Sequence, residues 1–409
     1  MNLLKLGLLV SATVGVMALA LPAMAEPVTL KVWSHDGIDS VGIADTFSKE
    51  FDKLNDDIVI EYRQVAFDDL VNETLRAFAV GGGPDIVALD NPEFAMFSSR
   101  GAMLDITDRI AASKVINAHN FFKGPLNSVT WDGRYYGIPK YTDTIAVFYN
   151  KDLFKKAGIA EPPKTWAEFT DDAEKLTDPA SNVYGATFSA RAGEDGTFQF
   201  LPLIQASGGS YKKVNTEGAI KTLELWKKMI DNGWASKEVL NLGQWESTGT
   251  FNSGNAAMAV SGNWEIDRMV KDAKFDWGVA LLPTVTEGGE RASALGGFDW
   301  GILSTTKHPD EAFRLLEYFD SQAGRLFSEF GYVAPRSDIT LSPSGVEKKD
   351  AAIKVFLEQL QNALPRGPHP EWPKISKAIY TAMQAALTGQ MSAKDALDQA
   401  QATIETIVK

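Results

Sequence analysis

The chain has 409 residues, 44% of them hydrophobic and 23% charged, which is an ordinary globular composition and long for a single core. A formal charge of −13 argues against a nucleic-acid partner, because phosphate binding needs clustered Lys and Arg. With no cysteine and only four histidines, the sequence offers no disulfide, no lipid-modified thiol and no metal-ligand spacing, and no cofactor is expected.

Met1 to Lys5 is a short stretch with one cation, Leu6 to Leu21 is apolar, and Ala23-Met24-Ala25 has the small-residue pattern of a cleavage site. This is the pattern of a secretory signal peptide, cleaved before Glu26, with a freely soluble product exported most simply to a Gram-negative periplasm. No other stretch is long and apolar enough to span a bilayer.

Val28 to Trp33 alternates and predicts a first strand, with Ser34 to Gly37 as the turn at its end. Ile43, Phe47, Phe51 and Leu54 recur at helical spacing, so a helix is expected over about 40–55. Ile58 to Val65 predicts a second strand, and Asp68 is expected to cap the helix that follows. The cluster Gly81-Gly82-Gly83 precedes the strand Ile86 to Leu89, so it is a helix stop rather than a phosphate loop, which would follow a strand. Asp90 and Asn91 then fall just past a strand's carboxyl end, where open α/β sheets bind ligands.

Tyr136 to Lys151 is extended, with Ile145, Val147 and Tyr149 alternating and Pro139 forbidding a helix through its start. The same alternation of strands and helices runs before and after it. It is therefore either a crossover between two lobes, with Lys140, Tyr141, Thr142 and Asp143 in the cleft, or an ordinary buried strand. Further on, Thr165 caps a helix to about Thr177, and Trp166 is expected to pack its start. Thr216 to Asn232 is helical, and Ala256 to Val260 is a short buried strand whose following turn presents Trp264. Gly296 to Ile302 returns to strand, Pro309 to Ser321 to helix, and Gly331 to Arg336 is extended. From Ala351 the pattern is mostly helical, and Ser392 with Asp395 predicts a capped final helix.

Several segments, in this order, resemble the extracellular solute-binding proteins of bacterial ABC importers, in the sugar-binding branch that includes maltose-binding protein. They are Gly83 to Asp90, Tyr136 to Pro139 with Val147 to Phe154, Pro163 to Phe169, Phe251 to Trp264, and Gly296 to Phe298 with Pro335-Arg336. The resemblance implies an α/β fold of two lobes, each a mixed sheet flanked by helices, joined by crossover strands and closing on ligand. It divides the chain into 1–25 as signal peptide, 26–138 with 284–333 as one lobe, and 139–283 with 334–409 as the other. It implies ligand contacts at His35 and Asp36, with Ser34 beside them, and at Asp90, Asp143, Trp264 and Arg336. It also implies a contact at the strand end carrying Asp299 and Trp300, and at an aromatic near Trp245. A stacking aromatic in the C-terminal helices has its nearest counterpart in Trp372. The partners it implies are a small-molecule carbohydrate and the membrane permease subunits of an importer, with the chain itself a monomer and not an enzyme.

Those residue types suit a sugar, whose hydroxyls donate to carboxylates and whose ring faces lie on aromatics. Each has a plainer reading: Asp90 and Asp143 as turn residues, Trp264 and Trp300 as core, Arg336 as the partner of a bridging carboxylate. Two rivals stay open. One is a binding protein for an anionic or non-sugar solute such as a glycerol phosphodiester, a sulfonated sugar or a polyamine. The other is a secreted glycoside hydrolase using Asp90 and Asp143.

Overall fold

Residues 26–36 and 42–409, the part of a computed structural model described here, form two mixed sheets, each assembled from strands far apart in the chain. The signal-peptide expectation over 1–25 and the start of the first predicted helix near Ser40 lie outside the described residues.

The first sheet has five strands in the spatial order Ile58–Gln64, Val28–Ser34, Ile86–Asp90, Gly296–Ile302 and Gly137–Asp143. Its first three strands are parallel, and Gly296–Ile302 runs antiparallel to both neighbours. Every residue of Ile86–Asp90 is buried, as expected of a strand covered on both faces by helices. The second sheet has the order Trp277–Ala280, Ile145–Asn150, Ala256–Gly262 and Tyr184–Thr187. Each sheet carries its own core: Leu30, Phe47, Ile138 and Trp300 belong to one, Val147, Trp166, Phe200 and Trp226 to the other.

The crossings lie later in the chain than expected. Tyr136 to Lys151 is not one strand: Gly137–Asp143 pairs in the first sheet and Ile145–Asn150 in the second, with the change at Thr144 rather than 138/139. The Thr144 hydroxyl is fixed there by Ser293 Oγ at 2.7 Å and the Ala294 carbonyl at 2.8 Å. The second crossing lies near Leu295 rather than 283/284, because Thr284 bonds to Lys164 and Ser293 to the Ile145 carbonyl, all on the second lobe's side. The third lies past Ser337 rather than at 333/334: Val333, Pro335 and Ser337 all bond to the first lobe's Thr142, Phe122 and Asn120. Composition shows no linker at any of these points, so only the pairing reveals them.

Most local expectations hold. Thr165 caps Trp166–Leu176 by accepting from the Glu168 amide at 3.2 Å, Trp166 is buried, and Ser392 caps Ala393–Ile407. Asp68 is a correction: the helix Phe67–Ala79 begins after Ala66, with no side-chain cap. Asp68 lies in its first turn and reaches across to Arg191 instead.

Candidate functional site

Asp90 ends its strand and Asn91–Glu93 turns away as a short helix started by Pro92, which leaves the Asp90 carboxylate at the sheet's carboxyl edge. Asp143 ends the crossover strand, which lies on the far side of Gly296–Ile302. Its backbone partner is Gly296, and a side chain there would collide with the Asp143 carboxylate, so this glycine is what lets the acid lie across the strand. From the second lobe, the first turn of Glu194–Gln205 contributes Glu194, and the segment before Trp372–Leu387 contributes Arg366.

Arg366 binds these pieces together. Its guanidinium donates to Asp90 at 2.5 and 2.6 Å, to Glu194 at 2.8 Å and to Asn91 at 3.0 Å, and it lies 4.6 Å over the Phe198 ring. The side chain is only 2% exposed. Glu194 also accepts from the Trp372 indole N–H at 3.2 Å and from Ser376 at 2.6 Å. The lobes meet so closely here that the crevice lined by Asn91, Asn127, Leu295 and Arg366 encloses only about 10 Å³, against the hundreds typical of a small-molecule pocket. A larger hollow of about 290 Å³ lies by Pro162, Lys164, Glu168 and Lys175 on the second lobe. It is an open surface groove whose acids pair with adjacent lysines, and none of the cluster's residues reaches it.

Five carboxyls, Asp90, Glu93, Asp143, Glu194 and Asp299, surround this one cation. Burial raises the Asp143 carboxyl to about 7, with repulsion from Asp90 adding and Arg366 opposing. Burial likewise takes Glu93 to about 8, helped by Glu194 and Asp90. Asp299 and Glu194 are also raised, burial being the main cause in each, with the Ser128 hydroxyl opposing at Asp299 and Arg366 at Glu194. Glu93 Oε2 and Asp299 Oδ2 are buried without a hydrogen-bond partner among the described residues.

The other expected residues are placed as follows. Asp36 is buried in an ion pair with Lys140 Nζ at 2.6 Å and also takes the Ser34 hydroxyl and the Ala44 amide. Burial, the largest single effect, would raise its carboxyl, but the Lys140 charge, His35 and the hydrogen bonds from Lys140 and Ser34 together outweigh it and hold the group well below the usual range. His35 stacks on Phe298 with ring centres 3.8 Å apart, and desolvation lowers it to about 4, so the ring is neutral. Neither Asp299 nor Trp300 is open to solvent: Asp299, 1% exposed, takes the Ser128 hydroxyl and feels Asp90 and Arg366 through charge, and Trp300, 2% exposed, lies inside the first core against Phe319 and under Lys140. Trp264 is partly exposed; its ring fills the space a side chain at Gly262 would need and packs near Phe198. Trp245 is 40% exposed and stacked by Arg268 at 4.1 Å.

Two corrections follow. Trp300 is a core residue and offers no face to the cleft. Arg336 is paired with Asp320 at 2.5 Å and Asp338 at 2.7 Å, so it is not a free cation, and because the chain crosses only past Ser337, Asp320 is a partner within the first lobe rather than the bridging carboxylate expected. The cation at the cluster is Arg366, which sequence reasoning missed along with Glu93 and Glu194. The only local signal was an arginine held in Pro365-Arg366-Gly367-Pro368, between helical stretches. Among the described residues there is also no group of His, Asp and Glu arranged to hold a metal, and no helix long and apolar enough to cross a membrane.

A family model described as bacterial extracellular solute-binding protein matches residues 41–326. The maltotriose-binding protein of Pyrococcus abyssi is 27% identical over 391 residues, covering 92% of this chain and 80% of that protein. The maltodextrin-binding protein MdxE of Bacillus subtilis is 26% identical over 403 residues, covering 89% and 90%. An ABC transporter solute-binding protein from Thermotoga lettingae, solved bound with α-D-tagatose, superposes with a TM-score of 0.83 at 25% identity, over 93% of this chain and 100% of that one.

Proposed function

The chain belongs to the bacterial extracellular solute-binding proteins, and from that premise we propose that it captures a carbohydrate between its lobes and delivers it to the permease of an ABC importer. The observation that carries the reading is the meeting of Asp90 from one lobe with Glu194 from the other on the guanidinium of Arg366. Polar groups able to grip hydroxyls thus converge where the lobes close, beside the Phe198 and Trp264 rings. The relatives named for maltotriose and maltodextrin support the same solute class.

In this reading Asp90, Asp143, Asp299 and Arg366 exchange hydrogen bonds with hydroxyls, and Trp264 covers a ring face. Trp245 and Arg268 form the outer rim. His35 and Asp36 act behind the contact surface, Asp36 holding Lys140 in place. The carboxyl excess disfavours phosphate or sulfonate solutes, because only Arg366 would balance them. Catalysis is not part of the reading: the carboxyls are held as binding groups, and the purified protein should release no reducing sugar. A cleaved leader would place the protein in the periplasm.

Thermal unfolding against a panel of sugars, polyols, sugar phosphates and polyamines tests this. A solute present at about a hundred times its Kd adds about 2.7 kcal/mol. Stabilisation by sugars is the expected result. Stabilisation only by phosphates or only by polyamines would overturn it.

A further inference from the structure

Resting on the carbohydrate reading, we propose that Glu265 and Arg268 are positioning residues for solute binding, which hold Trp245 and Trp264 in one preformed aromatic wall at the mouth of the cleft. The two tryptophans come from separate elements. Trp245 lies in the first turn of the helix Gln244–Asn252, and Trp264 in the short turn Asn263–Glu265 that follows the strand Ala256–Gly262. Glu265 closes that turn, and Arg268 lies in the next helix, Ile266–Asp272.

Arg268 ties these elements together. One of its terminal nitrogens donates to Glu265 at 3.2 Å and to the backbone carbonyl of Trp245 at 2.9 Å, and its guanidinium covers one face of the Trp245 ring at 4.1 Å. A cation is attracted to an indole face, so the ring and the backbone of Trp245 are held by the same group. Glu265 anchors that group: its side chain is fully buried, whereas Arg268 is 17% exposed. Burying a carboxyl is costly without a partner, and Arg268 is the only cation that pairs with it among the described residues. The space is cleared by glycines. A side chain at Gly249 would meet the guanidinium at 2.7 Å, and one at Gly262 would overlap the Trp264 ring. Gly249 lies inside a helix, where alanine is otherwise the better residue.

The Trp245 helix begins where the lobes meet. Gln244 donates to Asp195 at 3.3 Å, Asp195 pairs with Arg191 at 2.7 Å, and Arg191 reaches Asp68 of the first lobe. An indole as open as Trp245, at 40% exposed, would ordinarily lose rotamer freedom on binding. Clamped by Arg268 it has already lost that freedom, so a solute meets a ready surface.

A pair that only steadied its own helix would change stability and leave Trp245 alone, and two measurements separate the roles. The first is fluorine NMR on the processed, solute-free chain carrying fluorotryptophan, with signals assigned by their loss in Trp245→Phe, Trp264→Phe and Trp300→Phe. Gly249→Ala should push the guanidinium aside and move the Trp245 signal without lowering the melting point. Glu265→Ala should move the Trp245 and Trp264 signals, and Glu265→Gln should restore both, because its amide oxygen still accepts from Arg268. The Trp300 signal should stay in place throughout. The second is calorimetry with maltose, maltotriose, cellobiose, galactose and mannitol. For a probe that wild type binds, Gly249→Ala should weaken binding about threefold to tenfold. It should have no further effect in a Trp245→Ala background. Should Glu265→Ala fail to fold, Gly249→Ala carries the test by itself. A Trp245 signal indifferent to Gly249→Ala, unchanged affinity, or a loss equally large with and without Trp245 overturns the inference and leaves the carbohydrate reading standing. If wild type binds none of these probes, both fall together.

Discussion

Arg366 grips Asp90 through both of its terminal nitrogens across 276 residues of sequence and across the gap between the lobes. Because Arg366 reaches Asp90 and Asn91 on the first lobe and Glu194 and Phe198 on the second, this pair pulls the lobes together rather than stabilising either one. Breaking a buried ion pair by removing one partner costs about 3–5 kcal/mol when the survivor stays buried. Here the survivor can escape, since opening the cleft returns Asp90 to water. Arg366→Met should therefore show its effect in shape more than in melting: the radius of gyration of the solute-free protein should rise. Scattering indistinguishable from wild type would mean that closure is governed elsewhere.

A second lobe-to-lobe contact lies at the rim. Arg191 holds Asp68 through both nitrogens at 2.9 and 3.0 Å and Asp195 at 2.7 Å, with Asp68 63% exposed. An exposed pair of this kind contributes at most about 1 kcal/mol and is screened by salt. Asp68→Asn should therefore leave the melting point nearly unchanged but raise the solute dissociation rate a few-fold, and adding salt should do the same to wild type. Stopped-flow fluorescence measures both. A dissociation rate insensitive to the substitution and to salt would remove the rim pair from the closing mechanism.

Stability should fall as pH rises from weakly acidic to weakly basic. Asp143 is raised from 3.8 to about 7, and Glu93 and Glu265 from 4.5 to about 8, all chiefly by burial. Each binds its proton more tightly folded than unfolded. Its contribution is therefore complete below the unfolded value and is lost as pH passes the folded one. Asp36 acts oppositely, stabilising above 3.8 and losing that only in strong acid, outside this window. Calorimetric melting between about pH 5 and pH 8.5 should show a decline, and Asp143→Asn with Glu93→Gln should flatten it. A flat wild-type profile would contradict the raised, burial-dominated state of these acids.

The leader expectation gives its own test. Intact mass of the exported protein should begin at Glu26, the residue after Ala23-Met24-Ala25. Recovery of full-length chain in the membrane fraction would refute it.

The elements were legible in the sequence because their signals are local. The helix Pro309–Ser321 follows from its starting proline and apolar spacing, and the Thr165 cap from a hydroxyl before an amphipathic run. The strand end bearing Asp90 could be placed for the same reason, whereas the end at Asp143 lay inside what read as one continuous strand. The crossings could not, because Thr144 sits inside a continuous extended pattern and its role depends on Ser293, 149 residues later. Arg366 was hidden for the same reason, since its meaning lies in Asp90 and no period connects the two. Arg336 attracted attention through the resemblance, but its neighbours Asp320 and Asp338 neutralise it.

Trp264 and Trp300 are the sharpest test of how the cleft is lined, because the same substitution should act on different quantities. Trp300 is 2% exposed and packed with Phe319 in the first lobe's core, and its neighbour Lys140 lies 4.5 Å above the ring. Trp300→Ala leaves a large void and should cost about 3–5 kcal/mol of stability. Any loss of affinity should be secondary to that, since no ring face reaches solute. Trp264 follows the end of Ala256–Gly262, partly exposed, with one side against Gly262 and Phe198. Less of its surface is buried, so Trp264→Ala should cost clearly less stability. It should instead weaken solute binding by about 1–3 kcal/mol, the range for stacking on an aromatic face. Trp264→Phe keeps a smaller platform and should restore part of the affinity. Melting curves and calorimetry on the three variants separate the roles. If Trp264→Ala melts as low as Trp300→Ala and binds solute normally when folded, Trp264 is core and the aromatic wall of the cleft must be sought at Phe198 and Trp245.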